Sequence, residues 1–380
     1  MMKMKKESDL IPPHYRIVNI SREIEQKGIK IIHMELGDPE LDTDKRIIDT
    51  MYEAALKGHT HYGDARGLPE FRDAVSRYLN RRLKLDLTRD NVCVVPGSKS
   101  AIYMSLKTLA DGPAKVGVVE PTWGIYYSFI RDLGYDAIPI RLKYENKWQV
   151  REEDLKDIGK LDFIAVINPS NPTGVVWDRE SIELILEKAT RDDAYLIADE
   201  IYFELIYSNK KFISFMHYNY EKTVGLYSFS KTFAMTGFRI GWIASYDKDI
   251  INRIARGYQL LLTNVPEFIQ YAGIKATDLD DVIERNRGIY MERTYFLVNG
   301  LKRLGFEFVE PEAGFYIFSK VPNPYNDSYQ FALDLLHKAR VAIAPGTSFG
   351  DYPGFIRFTT ALKIETLKEA LKNIEEFMKS

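Results

Sequence analysis

Between residues 90 and 245 the chain alternates short apolar runs with longer stretches of helical period. The runs are VCVV (92–95), VGVV (116–119), DAIPI (136–140), FIAVI (163–167), YLIA (195–198), VGLYS (224–228) and GWIAS (241–245). Uninterrupted β-branched runs of this length read as strands covered on both faces, and the helical segments between them read as crossovers. The pattern therefore predicts an α/β fold with a mostly parallel, seven-stranded sheet. GWIAS follows VGLYS too closely for a full helical crossover and is expected to run antiparallel. Farther along, residues 268–301 contain no proline and read as one or two helices. A strand pair (FEFVE, 306–310, and GFYIFSK, 314–320), a helix over 329–339 and the strand IRFTT (356–360) follow. That α+β pattern predicts a second, smaller domain, joined by the amphipathic start at residues 15–27. We expect a large domain over 46–280 and a small one made of 1–45 and 281–380.

In open parallel α/β sheets ligands bind beyond the carboxyl ends of the strands. Those positions here carry PGSKS (96–100), EPTWG (120–124), NPSNPTG (168–174), DEIY (199–202) and SFSK (228–231). Loops built only to turn the chain would not need this variety of Gly, Asn, Asp, Trp, Ser and Lys, and we take the five as one site. Each residue also has a plain structural alternative. Ser98 could be a helix N-cap, but exposed N–H groups at a helix start also bind anions such as phosphate. Asp199 could cap or pair structurally, or serve as the electrostatic partner of a cofactor nitrogen. Trp123 could be core, and Arg239, eight residues after Lys231, could form a surface ion pair or lie beside the same pocket. Lys231 separates these readings. It stands among small hydroxylated residues with no carboxylate near it in sequence, and a lysine in a partly desolvated pocket becomes an amine nucleophile that forms a Schiff base with a carbonyl.

Composition narrows the partners. At 380 residues and 45% hydrophobic, the chain can bury more than one core. Its 52 basic and 54 acidic residues leave a net charge of −2, which gives no field for nucleic acid or an anionic membrane and favours small neutral or zwitterionic ligands. The single cysteine, Cys93, cannot form an internal disulfide and is expected in the core. The start MMKMKKESDLIPP has no apolar segment after its basic residues, and no apolar run approaches the roughly 18 residues of a membrane span, so a soluble, cytoplasmic protein is expected.

With NPSNPTG and DEIY in order before it, SFSKTFAMTGFRIGW (228–242) resembles the signature of pyridoxal-phosphate-dependent aminotransferases of fold type I, class I and II. Within them the chain is similar to the bacterial and archaeal aspartate aminotransferases, from LGDPE (36–40) to IRFTT (356–360). The resemblance implies that Lys231 carries the cofactor as an imine and later moves the proton between substrate and cofactor. It assigns Asp199 to the pyridine nitrogen, and Asn171 and Tyr202 to the cofactor O3′. The phosphate falls to the backbone of Ser98 and Lys99, the Ser228 hydroxyl and the Arg239 guanidinium, and Trp123 stacks on the ring. Tyr62, in HYGDARGLPEFR, is implied to reach the phosphate of a neighbouring subunit, which makes a homodimer part of the site. Arg357 matches the residue that binds the substrate α-carboxylate, with Gly37 beside it. Lys99 matches a lysine that holds a distal carboxylate in some aspartate-using members, its alternative being a solvated lysine in a helix's first turn. No metal is expected.

The implied reaction moves an amino group from an amino acid, aspartate first, to a 2-oxo acid, 2-oxoglutarate first, in ping-pong half-reactions. Two departures bear on the substrate: the relatives' GGK is GSK here, and His14, Tyr15 and Arg16 stand where many aspartate-specific members carry a small hydroxyl residue. Alternatives are an aminotransferase for aromatic, alanine or other neutral amino acids, or a C–S lyase on the same scaffold. A DNA-binding regulator of this fold is disfavoured, since the roughly 30 residues before LGDPE contain no helix-turn-helix pattern and no basic patch.

Overall fold

The seven predicted runs all form strands in the computed structural model, which describes residues 13–379. In chain order they are β1 (Val92–Val95), β2 (Lys115–Glu120), β3 (Asp136–Arg141), β4 (Phe163–Ile167), β5 (Tyr195–Asp199), β6 (Thr223–Ser228) and β7 (Gly241–Ala244). They make one sheet in the order β1-β7-β6-β5-β4-β2-β3. Only β7 runs against its neighbours, antiparallel to both β1 and β6. The short link from Ser228 to Gly241 holds a single 3₁₀ turn, Thr236–Phe238, too little chain for a parallel return.

The continuous apolar runs are explained by burial on both faces. In β4, Phe163, Ala165 and Ile167 pack on one side with Cys93, Ile102, Leu106 and Ile254. Ile164 and Val166 point the other way, onto Ile182, Ile185 and Leu186 of the Arg179–Asp192 helix. Each such side chain taken fully from water contributes about 1.5–3 kcal/mol. Cys93 is buried in the core, as expected.

The proline-free stretch is two helices, Glu267–Ala276 and Asp280–Arg303. Beyond it, β8 (Tyr316–Lys320), β9 (Ala344–Pro345) and β10 (Phe355–Thr359) form a three-stranded antiparallel sheet in the order β9-β10-β8. FEFVE is not the predicted strand: its pairing with β8 is an isolated bridge, Phe308 to Ser319, and forms no ladder. β10 pairs with β8 over the whole strand, whereas FEFVE stops at Pro311, which has no N–H to give a ladder. The predicted helix over 329–339 is Ser328–Asp334 followed by a wider π turn, Leu335–Ala339.

The amphipathic start is a helix, Pro13–Glu25, whose Ile17 and Ile24 share a core with Leu297, Ile317, Phe331 and Leu371. This core takes its buried residues from 17–34 and 297–374 alone. On that ground we propose the division into 46–280 and the remainder, of which residues 1–12 and 380 lie outside the described part. Tyr290, Phe315 and Tyr316 pack instead with the large sheet's core, so the two bodies meet across apolar side chains. Among the described residues no helix is long and apolar enough to cross a membrane, and no group of His, Cys, Asp and Glu is arranged to hold a metal ion.

Candidate active site

A cavity of about 300 Å³ lies beyond the carboxyl ends of β1, β2, β4, β5 and β6, roofed by β8, β10 and the start of the Pro13–Glu25 helix. Ten of the predicted site residues line it: Gly37, Ser98, Lys99, Trp123, Asn171, Asp199, Tyr202, Lys231, Arg239 and Arg357. Ser228 sits just behind the wall, hydrogen-bonded to Ser230, which does line it. Tyr62 does not line the cavity and is 87% exposed.

Lys231 follows β6 by three residues and extends its amine across the cavity to the Gly37 carbonyl, 2.7 Å away. Burial pushes its pKa down to about 8; the Arg239 and Arg357 charges add to this, and Asp38 and Asp199 oppose it. A fraction of the amine is thus neutral and nucleophilic near neutral pH. Asp199 ends β5, fully enclosed, and one carboxylate oxygen accepts the Ile201 N–H at 3.3 Å. Burial raises its pKa to about 7, against the Ile201 hydrogen bond and with help from neighbouring Glu200. Glu200 faces away from the cavity, where its carboxylate accepts from Ser214, Tyr227 and the Phe215 N–H and so anchors the turn that presents Asp199. A buried carboxylate that would pick up a proton near neutrality is suited to a cationic N–H placed opposite it.

One end of the cavity is built for an anion. Gly97, at φ +81°, swings the chain from β1 into the Ser98–Leu109 helix, whose first N–H groups have no intrahelical acceptor. A Cβ on Gly97 would lie 2.5 Å from Arg239 Nη2, so the glycine makes room for the guanidinium. Arg239, itself in the left-handed region at φ +54°, is steadied by Nη1 donating to the Thr236 carbonyl at 2.8 Å. The Ser228 hydroxyl donates to the Ile240 carbonyl at 2.8 Å and accepts the Ser230 N–H at 3.0 Å. Helix N–H groups, the Ser230 hydroxyl and a guanidinium around one hollow, with Ser228 just behind, match a phosphate. Ser230 was not singled out from the sequence, although its place next to Lys231 in SFSK was the available signal.

At the opposite end Arg357, in the middle of β10, is buried. Its Nη1 donates to Asn171 Oδ1 at 3.0 Å and its Nη2 donates to the Glu35 carbonyl, while among the described residues Nε has no partner. The guanidinium lies 4.4 Å over the Tyr316 ring and 4.7 Å over that of Phe349. Burial lowers its pKa from the usual guanidinium range, yet arginine starts so high that it keeps its charge. Lys99 is half-buried with Nζ 5.7 Å from the Trp123 ring, and burial, then Arg239, lowers its pKa. His14 donates its backbone N–H to Ser348 Oγ at 2.9 Å, and its ring is stacked near Phe349. Burial, then Arg357 and Lys99, push the imidazole pKa down to about 3, so this wall residue is neutral. Tyr202 lies with its hydroxyl oxygen 3.1 Å from that of Tyr316. Tyr316, Glu35 and Phe349 were missed from the sequence. GFYIFSK read there only as a strand, and nothing in its period marks the residue that meets a site.

The family described as aminotransferase class I and II matches residues 29–374. The chain is 35% identical over 366 residues, 95% of each chain, to a (5-formylfuran-3-yl)methyl phosphate transaminase of Methanocaldococcus jannaschii. It is 32% identical over 359 residues, 93% of each, to an aspartate aminotransferase of Thermotoga maritima. In three dimensions it is similar to an alanine aminotransferase from Pyrococcus furiosus, with a TM-score of 0.92, 30% identity and coverage of 97% of this chain and 98% of that one.

Proposed function

Since this chain belongs to the class I and II aminotransferases, a pyridoxal-phosphate-dependent family of fold type I, we propose from the positions of its cations that aspartate is its amino donor and 2-oxoglutarate its acceptor. When bound, pyridoxal phosphate supplies a carbonyl for the amine and a ring that takes up electrons from the substrate Cα. The residues fit that group: an anion cradle at one end, a buried carboxylate and a depressed-pKa lysine across from it, and an indole at the wall.

In this reading Lys231 bonds the cofactor and then, as a free amine, carries the proton to and from the substrate Cα. Asp199 keeps the ring nitrogen protonated. Asn171 and Tyr202 donate to the ring hydroxyl, Trp123 covers the ring, and Ser98, Lys99, Ser228 and Arg239 hold the phosphate. Arg357 pairs with the α-carboxylate in a planar, two-bonded arrangement, beside the Gly37 backbone. The observation that carries the aspartate reading is a second cation: Lys99 borders the same cavity, and His14 feels the charges of both Lys99 and Arg357. A substrate held by Arg357 would present a side-chain carboxylate within that field.

We also read the enzyme as a cytoplasmic homodimer with shared sites. The exposed apolar side chains Tyr52, Leu56, Leu260 and Leu261, together with Tyr62, support a covered face, with Tyr62 serving the partner's phosphate. A second reading of the substrate follows from the Methanocaldococcus jannaschii relative, which is named for a phosphate ester. Lys99 would answer a distal phosphate as well as a distal carboxylate.

The test is a panel of amino acids added to the holoenzyme without oxo acid, followed by the change in cofactor absorbance, and then of 2-oxo acids and an aryl aldehyde phosphate ester returning the spectrum. Aspartate and glutamate are expected to convert it first. Conversion confined to aromatic or aliphatic amino acids would overturn the aspartate reading, and return by the phosphate ester alone would favour the second.

A further inference from the structure

Tyr316 lies in the cavity wall between Arg357 and Tyr202. It opens β8, opposite Thr359 of β10, and its ring is the platform under the Arg357 guanidinium at 4.4 Å. Its hydroxyl crosses to the large sheet's side and meets the Tyr202 hydroxyl at 3.1 Å. The same oxygen occupies the space a side chain on Gly37 would need, since a Cβ there would lie 1.8 Å from it. The Gly37 carbonyl in turn holds the Lys231 amine. Tyr202 and Tyr316 are both buried.

Resting on the cofactor reading above, we propose that Tyr316 is a positioning residue that couples the α-carboxylate held by Arg357 to the ring hydroxyl of the cofactor through Tyr202. Each phenol has one proton to give. If Tyr202 spends its own on the cofactor O3′, the 3.1 Å bond between the phenols must be donated by Tyr316. A donated bond polarises the acceptor and makes Tyr202 the stronger donor in its turn. The guanidinium over the Tyr316 ring strengthens that donation by favouring negative charge on the phenol oxygen. A carboxylate arriving on Arg357 cancels part of this field, so the chain from Arg357 to O3′ weakens when substrate binds. This route is separate from the direct Arg357 to Asn171 hydrogen bond.

The experiment is a pH titration of the visible absorbance of the holoenzyme, with and without the non-reacting dicarboxylate maleate. Tyr202's bond draws electron density from O3′, the oxygen that steadies the neighbouring proton on the lysine linkage, so weakening it raises the midpoint. Tyr316→Phe keeps the ring under Arg357 and removes only the hydroxyl. Its midpoint is expected to rise by roughly half a pH unit, and the further shift caused by maleate to shrink. In a Tyr202→Phe background the same change is expected to add nothing. A Tyr316→Phe midpoint equal to wild type, or an equal shift whether or not Tyr202 is present, would overturn the coupling. If the wild type takes up no pyridoxal phosphate, the cofactor reading beneath it fails instead, and the two failures are told apart by the absorbance of the wild type alone.

Discussion

Two buried cations line this site, and they solve the same problem in opposite ways. Lys231 and Arg357 are both enclosed, and each spends its hydrogen bonds on neutral acceptors, Lys231 on the Gly37 carbonyl and Arg357 on Asn171 and the Glu35 carbonyl. Burial drives the lysine down to about 8, where it can shed its charge and react. Arginine cannot lose its proton in the working range, so it keeps a desolvated charge that an incoming anion can pair. That contrast suits the lysine to covalent chemistry and the arginine to recognition, as proposed above. Variants should separate accordingly, with chemistry lost at one end and substrate selection at the other.

The largest effect is expected from Lys231→Ala. Loss of both nucleophile and proton carrier should lower turnover by roughly 10³-fold or more, while binding of an amino acid at Arg357 persists. Borohydride reduction of the wild type followed by peptide mapping should place the cofactor on Lys231, and a label centred on any other lysine would sink the assignment. Asp199→Asn should slow turnover by roughly 10²–10³-fold with a much smaller loss of cofactor affinity. Activity within about threefold of wild type, roughly 0.65 kcal/mol, would make Asp199 structural.

At the recognition end Arg357→Lys should lower kcat/KM by roughly a hundredfold for every amino acid alike, since all carry the α-carboxylate and the planar fork is lost. Lys99→Ala should cost acidic substrates about 2 kcal/mol, roughly thirtyfold, and leave alanine or phenylalanine nearly unchanged. Equal losses for acidic and neutral substrates would remove the main support for aspartate.

The smallest effect concerns His33, just before Glu35 and Gly37. His33, half-buried, lies 2.7 Å from the enclosed Glu35 carboxylate and 3.1 Å from Glu25 on the first helix. The Glu35 hydrogen bond, against burial, raises its pKa from 6.5 to about 9. A raised pKa means the folded state binds the proton more tightly, so this contribution is complete below 6.5 and is lost as pH rises through about 9. With solvent screening it should amount to less than about 1 kcal/mol. The thermal midpoint of His33→Gln should thus fall less steeply between these pH values than that of wild type, and parallel profiles would show the pair to be inert.

The part of the cavity wall that lies at the strand ends was almost fully legible in the chain. Its residues sit within a few positions of the strands that carry them, so one rule, reading past the carboxyl end of each apolar run, reached Ser98, Trp123, Asn171, Asp199 and Lys231. FEFVE misled because its alternation is that of a half-buried strand, while the neighbour that completes β8 is β10, found some 35 residues further along. Tyr316 was hidden for a related reason. In a strand as apolar as GFYIFSK, a tyrosine has the same period whether its hydroxyl meets solvent, core or a catalytic partner.

What the sequence determined by itself is the alternation that builds the large sheet and the chemistry at the ends of its strands, because a loop is tied to its strand by the covalent chain. The tertiary structure decided the rest. His14 reaches Ser348 across 334 residues, and Arg357 reaches the Glu35 carbonyl across 322. Only packing brings such partners together, and enclosure, more than any neighbouring charge, lowers the Lys231 pKa while leaving Arg357 charged. Desolvation is a property of the surrounding atoms and not of the residue, so the same lysine and arginine in an open loop would be ordinary solvated cations.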